Sequence, residues 1–102
     1  MAYLGLDIGT TAVKAVLFDG SGHPLGTGLA EYTLETPAPD IVELSAEQYW
    51  ISVKEALSQA LKKAEIPPAS IRSLAITGQV ETLVFVDKSG KPLRKAIVWL
   101  DN

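Results

Sequence analysis

The sequence lacks cysteine and contains one histidine and one methionine among its 102 residues. Without thiols it forms neither a disulfide framework nor a thiolate metal site, and we expect a cytoplasmic protein. It has no basic run and a net charge of −3, which argues against nucleic-acid binding through phosphate neutralisation. Its longest apolar run, residues 96–100, is too short to span a bilayer, and no basic segment typical of a signal peptide is present. We therefore expect no nucleic-acid partner and no membrane partner.

Apolar residues alternate along several short segments, which predicts six strands at about residues 3–8, 12–18, 25–34, 71–77, 83–87 and 96–99. The prolines within residues 35–44 favour an extended loop there. Three antiparallel strands, a helical crossover and a strand parallel to the first predict a mixed α/β layer.

One long helix is predicted at about residues 46–65. Ser45 and Gln48 have the spacing of a capping box, and the Pro-Pro pair at residues 67–68 ends the helix. An apolar stripe at helical spacing is expected to face the core, and Trp50 is interpreted as core packing. The stripe consists of Tyr49, Val53, Ala56, Leu57, Ala60, Leu61 and Ala64.

Residues 4–14 (LGLDIGTTAVK) form the most informative segment, a predicted hairpin with Asp7 near the end of its first strand. Gly5 shares a face with Asp7 and leaves room for a ligand. The turn contains Gly9, Thr10 and Thr11, whose backbone N–H groups and hydroxyls suit phosphates. Mg²⁺ prefers carboxylate and phosphate oxygens, and Lys14 adds a cation whose direction the sequence does not define. The alternative is an ordinary Gly-Thr hairpin with a solvent-facing aspartate.

Two further turns share a pattern, because residues 19–25 (DGSGHPL) are similar to residues 87–93 (DKSGKPL). An internal repeat is one interpretation, but the same turn built twice from Asp, Ser, Gly and Pro is favoured because the flanking residues differ. His23 is interpreted as an exposed turn residue with no role as a base.

Four segments in order resemble the N-terminal part of the FGGY carbohydrate kinases. They are residues 5–19 (GLDIGTTAVKAVLFD), Tyr49-Trp50, residues 75–79 (AITGQ) and residues 90–101 (GKPLRKAIVWLD). The first segment alone is typical of the wider actin, Hsp70 and sugar-kinase group, whereas all four together indicate the FGGY kinases. The resemblance implies a ribonuclease-H-like, actin-like ATPase half-domain with a mixed sheet and a helical crossover.

The resemblance also implies ATP and Mg²⁺ as cofactors. The family places its Mg²⁺-binding aspartate at Asp7, and its phosphate contacts at Gly9, Thr10 and Thr11, with Lys14 nearby.

The sugar or polyol is expected near the loop after the fourth predicted strand. Gln79, Val80 and Glu81 lie in this loop, and Trp99 and Asp101 fall where the family has an aromatic and a polar group near the sugar. A carboxylate accepts hydrogen bonds from polyol hydroxyls. The alternatives are a tight connector at the loop and a core tryptophan at Trp99. Glycerol kinases have arginine at the position of Val80, which argues against a simple glycerol kinase. Xylulose kinases have Met-His in this loop, which this chain lacks, so the substrate stays open between a sugar and a polyol.

We expect residues 1–102 to be the N-terminal portion of the first kinase lobe, with the catalytic base and the second lobe beyond this segment. Such a chain would bind nucleotide without turnover, and its bare apolar sheet surface would favour self-association. A stand-alone non-catalytic nucleotide-binding or oligomerising module is the main alternative, and an actin-like ATPase without a sugar substrate is the third.

Overall fold

The computed structural model describes residues 1–79 and 82–98. Its elements follow the chain in this order: β1 (Ala2–Ile8), β2 (Ala12–Phe18), β3 (Pro24–Glu31), β4 (Glu35–Ala38), β5 (Ile41–Leu44), α1 (Ala46–Ala64), β6 (Ile71–Gly78) and β7 (Ala96–Ile97). The main sheet has the order β3-β2-β1-β6, in which β6 runs parallel to β1 and the other pairs are antiparallel. The predicted mixed α/β layer with a helical crossover is confirmed.

Strict alternation along β1 and β2 separates a core face from an open face. Leu4, Leu6, Val13 and Leu17 are buried in the cluster that packs against α1. Gly5, Asp7 and Lys14 lie on the opposite face, as expected for residues two apart in a strand. The predicted apolar stripe of α1 also lies in or against this core, so one face of the sheet is covered by the helix.

Two glycines of β3 let α1 approach the sheet at backbone distance. A Cβ atom added to Gly28 would lie 1.8 Å from the carbonyl oxygen of Ala56, and one added to Gly26 would lie 2.4 Å from that of Ala60. Ala56 and Ala60 are themselves fully buried. The glycines of β3 and the small residues of α1 are therefore matched surfaces.

Residues 35–44 form a short antiparallel hairpin, β4–β5, and not the predicted extended loop. A second sheet of order β4-β5-β7 results, and its backbone pairing is reinforced by two ion pairs. Arg94 donates to Glu43 at 2.8 Å and Lys95 to Glu35 at 2.7 Å. The predicted strand at residues 83–87 is reduced to isolated bridges at Leu83 and Val86. Of the last predicted strand, residues 96 and 97 form β7, and residue 99 lies outside the described residues.

The capping box predicted for α1 is wrong. Within the described residues the Ser45 side chain makes no cap hydrogen bond, and Gln48 uses its side-chain amide on the Ser52 hydroxyl at 3.1 Å. The helix ends where Glu65 adopts a left-handed conformation with φ of 55° and donates its N–H to Leu61, ahead of the proline pair.

Trp50 is exposed by 62%, so its interpretation as core packing is wrong. Trp50 directly follows Tyr49, whose side chain points to the core. Because consecutive side chains of a helix point about 100° apart, the side chain of Trp50 faces away from the core. The Lys54 ammonium lies 5.7 Å from the centre of the Trp50 ring, a cation–π contact on the outer surface.

The two similar segments build the same turn, as the favoured interpretation predicted. Asp19 accepts the N–H groups of Ser21 and His23, and Asp87 accepts those of Ser89 and Lys91, each at 2.8–2.9 Å. Gly22 and Gly90 have φ of 84° and 81°. The His23 ring is exposed and lies 3.2 Å from the Asp19 carboxylate, and the N–H of His23 is the main reason that the pKa of Asp19 is below its usual value.

Candidate functional site at the ends of β1 and β6

The two loops that the sequence singles out leave the same edge of the sheet. β1 and β6 are parallel and in register up to Ile8 opposite Gly78. The phosphate turn, defined here as residues 9–11, follows β1, and the substrate loop, defined as residues 79–82, follows β6. Carboxyl ends of adjacent parallel strands are the usual place for a ligand in an α/β sheet.

Hydrogen bonds fix the phosphate turn from both sides. The N–H of Gly9 donates to the carbonyl of Ala12 at 2.9 Å and closes the turn. The N–H of Tyr32 donates to the carbonyl of Thr11 at 3.0 Å. The Tyr32 hydroxyl donates to the carbonyl of Gly9. Thr11 is exposed, so the turn is anchored from within while it remains open to solvent on its outer side.

Asp7 is exposed and lies between Lys14 and Thr77 in the sheet register. All three residues line an open cavity of about 330 Å³ that also contains Gly5 and Phe18. Lys14 therefore points to the same face as Asp7, which the sequence alone left open. A Cβ added to Gly5 would lie 3.6 Å from Phe18, an ordinary contact, so an alanine would fit here without displacing Phe18 but would add an atom to the cavity wall.

Asp7 is the carboxylate that lines this cavity. Among the described residues no group of three or more His, Cys, Asp or Glu side chains could hold a metal ion. Mg²⁺ is commonly bound by one or two carboxylates together with waters and substrate phosphates. Asp7 beside an anion-binding turn fits that mode and does not fit an all-protein metal cage.

Gln79 begins the substrate loop and is held at two points. Its N–H donates to the carbonyl of Ile8 at 3.0 Å, and its side-chain Nε2 donates to the Tyr49 hydroxyl at 3.2 Å. Its Oε1 is buried without a hydrogen-bond partner in the part of the chain described. Gln79 and Tyr49 line a second cavity of about 360 Å³ together with Ile8 and Thr82. The other predicted substrate residues, Val80, Glu81, Trp99 and Asp101, lie outside the described residues.

Tyr32 and Tyr49 belong to this site, although sequence reasoning did not identify them as site residues. Their rings meet edge to face at 5.2 Å with an interplanar angle of 80°. Burial, with smaller contributions from Tyr49 and the charge of Asp7, raises the pKa of Tyr32 to about 12. Burial also raises the pKa of Tyr49, and the hydrogen bond from Gln79 partly offsets this. Both hydroxyls therefore stay protonated near neutral pH. The sequence marks Tyr49 through the helical stripe and the Tyr49-Trp50 pair, neither of which indicates a site role, and no motif marks Tyr32.

None of the helices within residues 1–79 and 82–98 has the length and apolar character that a membrane crossing requires.

Comparison with known proteins identifies one family over nearly the whole chain. The model of the FGGY family of carbohydrate kinases, N-terminal domain, matches residues 2–102. A glycerol kinase of Thermococcus onnurineus (strain NA1) is 41% identical over 96 residues, which are 94% of this chain and 20% of that protein. A glycerol kinase of Brevibacillus brevis (strain 47) is 44% identical over 97 residues, covering 94% of this chain and 19% of the other.

The fold agrees with these sequence matches. The crystal structure of a xyloylose kinase from Brucella ovis superposes with a TM-score of 0.93 at 29% identity, over 99% of this chain and 21% of that one. The predicted actin-like ATPase fold class is thereby confirmed. The chain spans about a fifth of the length of these relatives. It belongs to the FGGY family of carbohydrate kinases and matches the N-terminal domain of that family.

Proposed function

We propose that this chain is the N-terminal part of an ATP-dependent kinase that transfers the γ-phosphoryl group to a hydroxyl of a sugar or polyol. The observation that carries the proposal is that the phosphate turn and the substrate loop begin side by side, directly after the paired residues Ile8 and Gly78. Phosphoryl transfer depends mainly on positioning and electrostatic stabilisation, so two adjacent binding loops are its first requirement.

On the nucleotide side, Asp7 would hold Mg²⁺, and Gly9, Thr10 and Thr11 would face the phosphates. Bound Mg²⁺ supplies positive charge that neutralises the phosphate oxygens. The location of Lys14 on the same face as Asp7 supports a second cationic contribution. The hydrogen bonds from Tyr32 orient this turn before any ligand arrives.

On the acceptor side, Gln79, Val80, Glu81, Trp99 and Asp101 would surround the sugar or polyol. Support comes from the glycerol kinases among the relatives and from the position of Gln79 beside the phosphate turn. The hydroxyl proton released in the transfer would go to a base in a part of the enzyme outside this chain.

Because the chain spans about a fifth of its relatives, we propose that it binds ligands but does not complete turnover alone. Leu74 and Ile76 of β6 are more than half exposed, which supports self-association of the isolated chain through this apolar surface. A stand-alone nucleotide-binding or oligomerising module is the second candidate, and it rests on the same exposed face. We also propose a cytoplasmic location, with which the lack of cysteine is compatible.

A titration of the ¹⁵N-labelled chain with Mg²⁺ and ATP tests the nucleotide side. We expect resonances of residues 7–14 to shift in a Mg²⁺-dependent manner, and Asp7→Asn to remove the Mg²⁺ dependence. Asp40→Asn is the matched control, because Asp40 is exposed in the β4–β5 turn. The absence of any response at millimolar nucleotide would contradict the assignment. Sequencing of the gene past the codon for Asn102 then separates the kinase from the binding module.

A further inference from the structure

Tyr32 supports the phosphate turn from the protein side. It donates its N–H to Thr11 at 3.0 Å and its hydroxyl to the carbonyl of Gly9, so one residue holds two of the three carbonyls in the turn. Tyr32 is only 8% exposed. Hydrogen bonds in such surroundings are electrostatically stronger than in water, and the turn geometry therefore depends on where this ring is placed.

Tyr49 and Gln79 extend these contacts to the substrate loop. The Tyr49 ring fixes the Tyr32 ring by an edge-to-face contact at 5.2 Å. The Tyr49 hydroxyl accepts the side-chain amide of Gln79, whose own N–H continues the β1–β6 pairing onto Ile8. A continuous series of contacts thus joins Gly9 to Gln79 through two rings from different elements.

One group in this series is left unsatisfied. The Oε1 atom of Gln79 is buried and lacks a hydrogen-bond partner among residues 1–79 and 82–98. A buried acceptor without a donor is destabilising, so binding of a ligand whose donor reaches this atom would be favoured. The series therefore ends, on the β6 side, at a buried acceptor that a ligand donor could satisfy.

We propose that Tyr32, Tyr49 and Gln79 are positioning residues that keep the phosphate turn and the end of β6 in register, so that a ligand at the phosphate turn alters ligand binding at Gln79, and the reverse. We base this role on the proposed function, since the two ligands are those of the kinase reaction. Coupling of this kind is reciprocal: if nucleotide strengthens acceptor binding, then acceptor strengthens nucleotide binding by the same factor.

The contacts are tested first without ligand, by amide spectra of four variants of the ¹⁵N-labelled chain. Tyr49→Phe and Gln79→Leu are expected to shift the amides of residues 9–11, and Tyr32→Phe to shift those of Gly78 and Gln79. Tyr3→Phe is the matched control, because the Tyr3 hydroxyl contacts the sulfur of Met1 at the opposite end of β1. Shifts that stay confined to the loop nearest each substitution would overturn the proposal.

The ligand experiment separates positioning from simple structural support. Tyr49→Phe and Gln79→Leu are expected to weaken Mg-ATP binding by roughly fivefold to tenfold, the effect of about one hydrogen bond, although neither residue contacts the phosphate turn directly. The Tyr49→Phe/Gln79→Leu double variant should bind Mg-ATP no more weakly than Gln79→Leu alone, because both substitutions remove the same hydrogen bond. Unchanged Mg-ATP affinity in both single variants, or fully additive losses in the double variant, would refute the coupling. If the unsubstituted chain does not respond to Mg-ATP, the proposed function is refuted instead, and the ligand-free spectra still decide the contact series.

Discussion

Replacement of Gly28 by alanine should strongly destabilise the domain, because β3 and α1 meet there backbone to backbone. The added Cβ would lie 1.8 Å from the carbonyl oxygen of Ala56, 2.7 Å from its carbonyl carbon and 2.9 Å from the Cβ of Gln59. Backbone atoms of a helix cannot turn aside as a flexible side chain can. The helix must therefore move away from the sheet as a unit.

The size of the effect follows from that displacement. Restoring an ordinary contact requires a movement of roughly 1.5 Å, which forfeits much of the dispersion energy along the interface. Overpacking typically costs about 1–3 kcal/mol, and the contact with rigid backbone places this substitution at or above the upper end. For a domain of this size, 3 kcal/mol lowers Tm by roughly 12–24 °C. The free energy of unfolding of a native domain is about 5–15 kcal/mol, so the loss would be a large fraction of it.

Thermal and urea unfolding followed by circular dichroism measure the effect. Gly20→Ala is the matched control, since nothing lies within 4 Å of the Cβ it would add, and its stability should stay within about 0.5 kcal/mol of the parent. A Gly28→Ala variant whose Tm falls by less than about 2 °C would refute the backbone-contact account, since that shift corresponds to well under 1 kcal/mol.

Three further outcomes are expected. Trp50→Ala should change the free energy of unfolding by about 0.5 kcal/mol or less in urea titrations, because the side chain is largely exposed. A loss above about 2 kcal/mol would show that the Trp50 side chain is buried after all. The pKa of Tyr32 is about 12 in the folded chain, so its contribution to the free energy of unfolding is full below pH 10 and is lost as the pH rises towards 12. Above pH 10 the free energy of unfolding should therefore fall less steeply with pH in Tyr32→Phe than in the parent, and equal slopes would disprove this. Ile76→Glu should reduce concentration-dependent association in light scattering, since Ile76 is 64% exposed on the sheet; an unchanged mass would locate the contact elsewhere.

Much of the fold was predictable because its signals are local. The alternation within β1 and β2 defines two faces, and residues 12–18 were predicted with the bounds observed. The β4–β5 hairpin was missed because its strands are only four residues long and Pro37 reads as loop. The error at Trp50 was avoidable: Tyr49 and Trp50 are adjacent in a helix, so only one of them can point to the core.

The glycines of β3 were also available to sequence reasoning. Gly26 and Gly28 are two apart, so they share one face of a strand, and Ala56, Ala60 and Ala64 share one face of α1. Facing stripes without large side chains predict a close helix–sheet approach, and this is where the contacts occur.

The residues of the candidate site also differ in how far apart they lie in the sequence. Asp7 and the phosphate turn lie within five consecutive residues, and local reasoning is sufficient to find them. Tyr32 is separated from Gly9 by 23 residues, and Gln79 from Tyr49 by 30, so their contacts exist only after β3 and α1 have packed on the sheet. No spacing rule connects such residues. If these contacts orient the phosphate turn, then the exact placement of α1 on Gly26 and Gly28 controls the site as well as the core, and substitutions at the helix–sheet interface should alter ligand affinity before they unfold the domain.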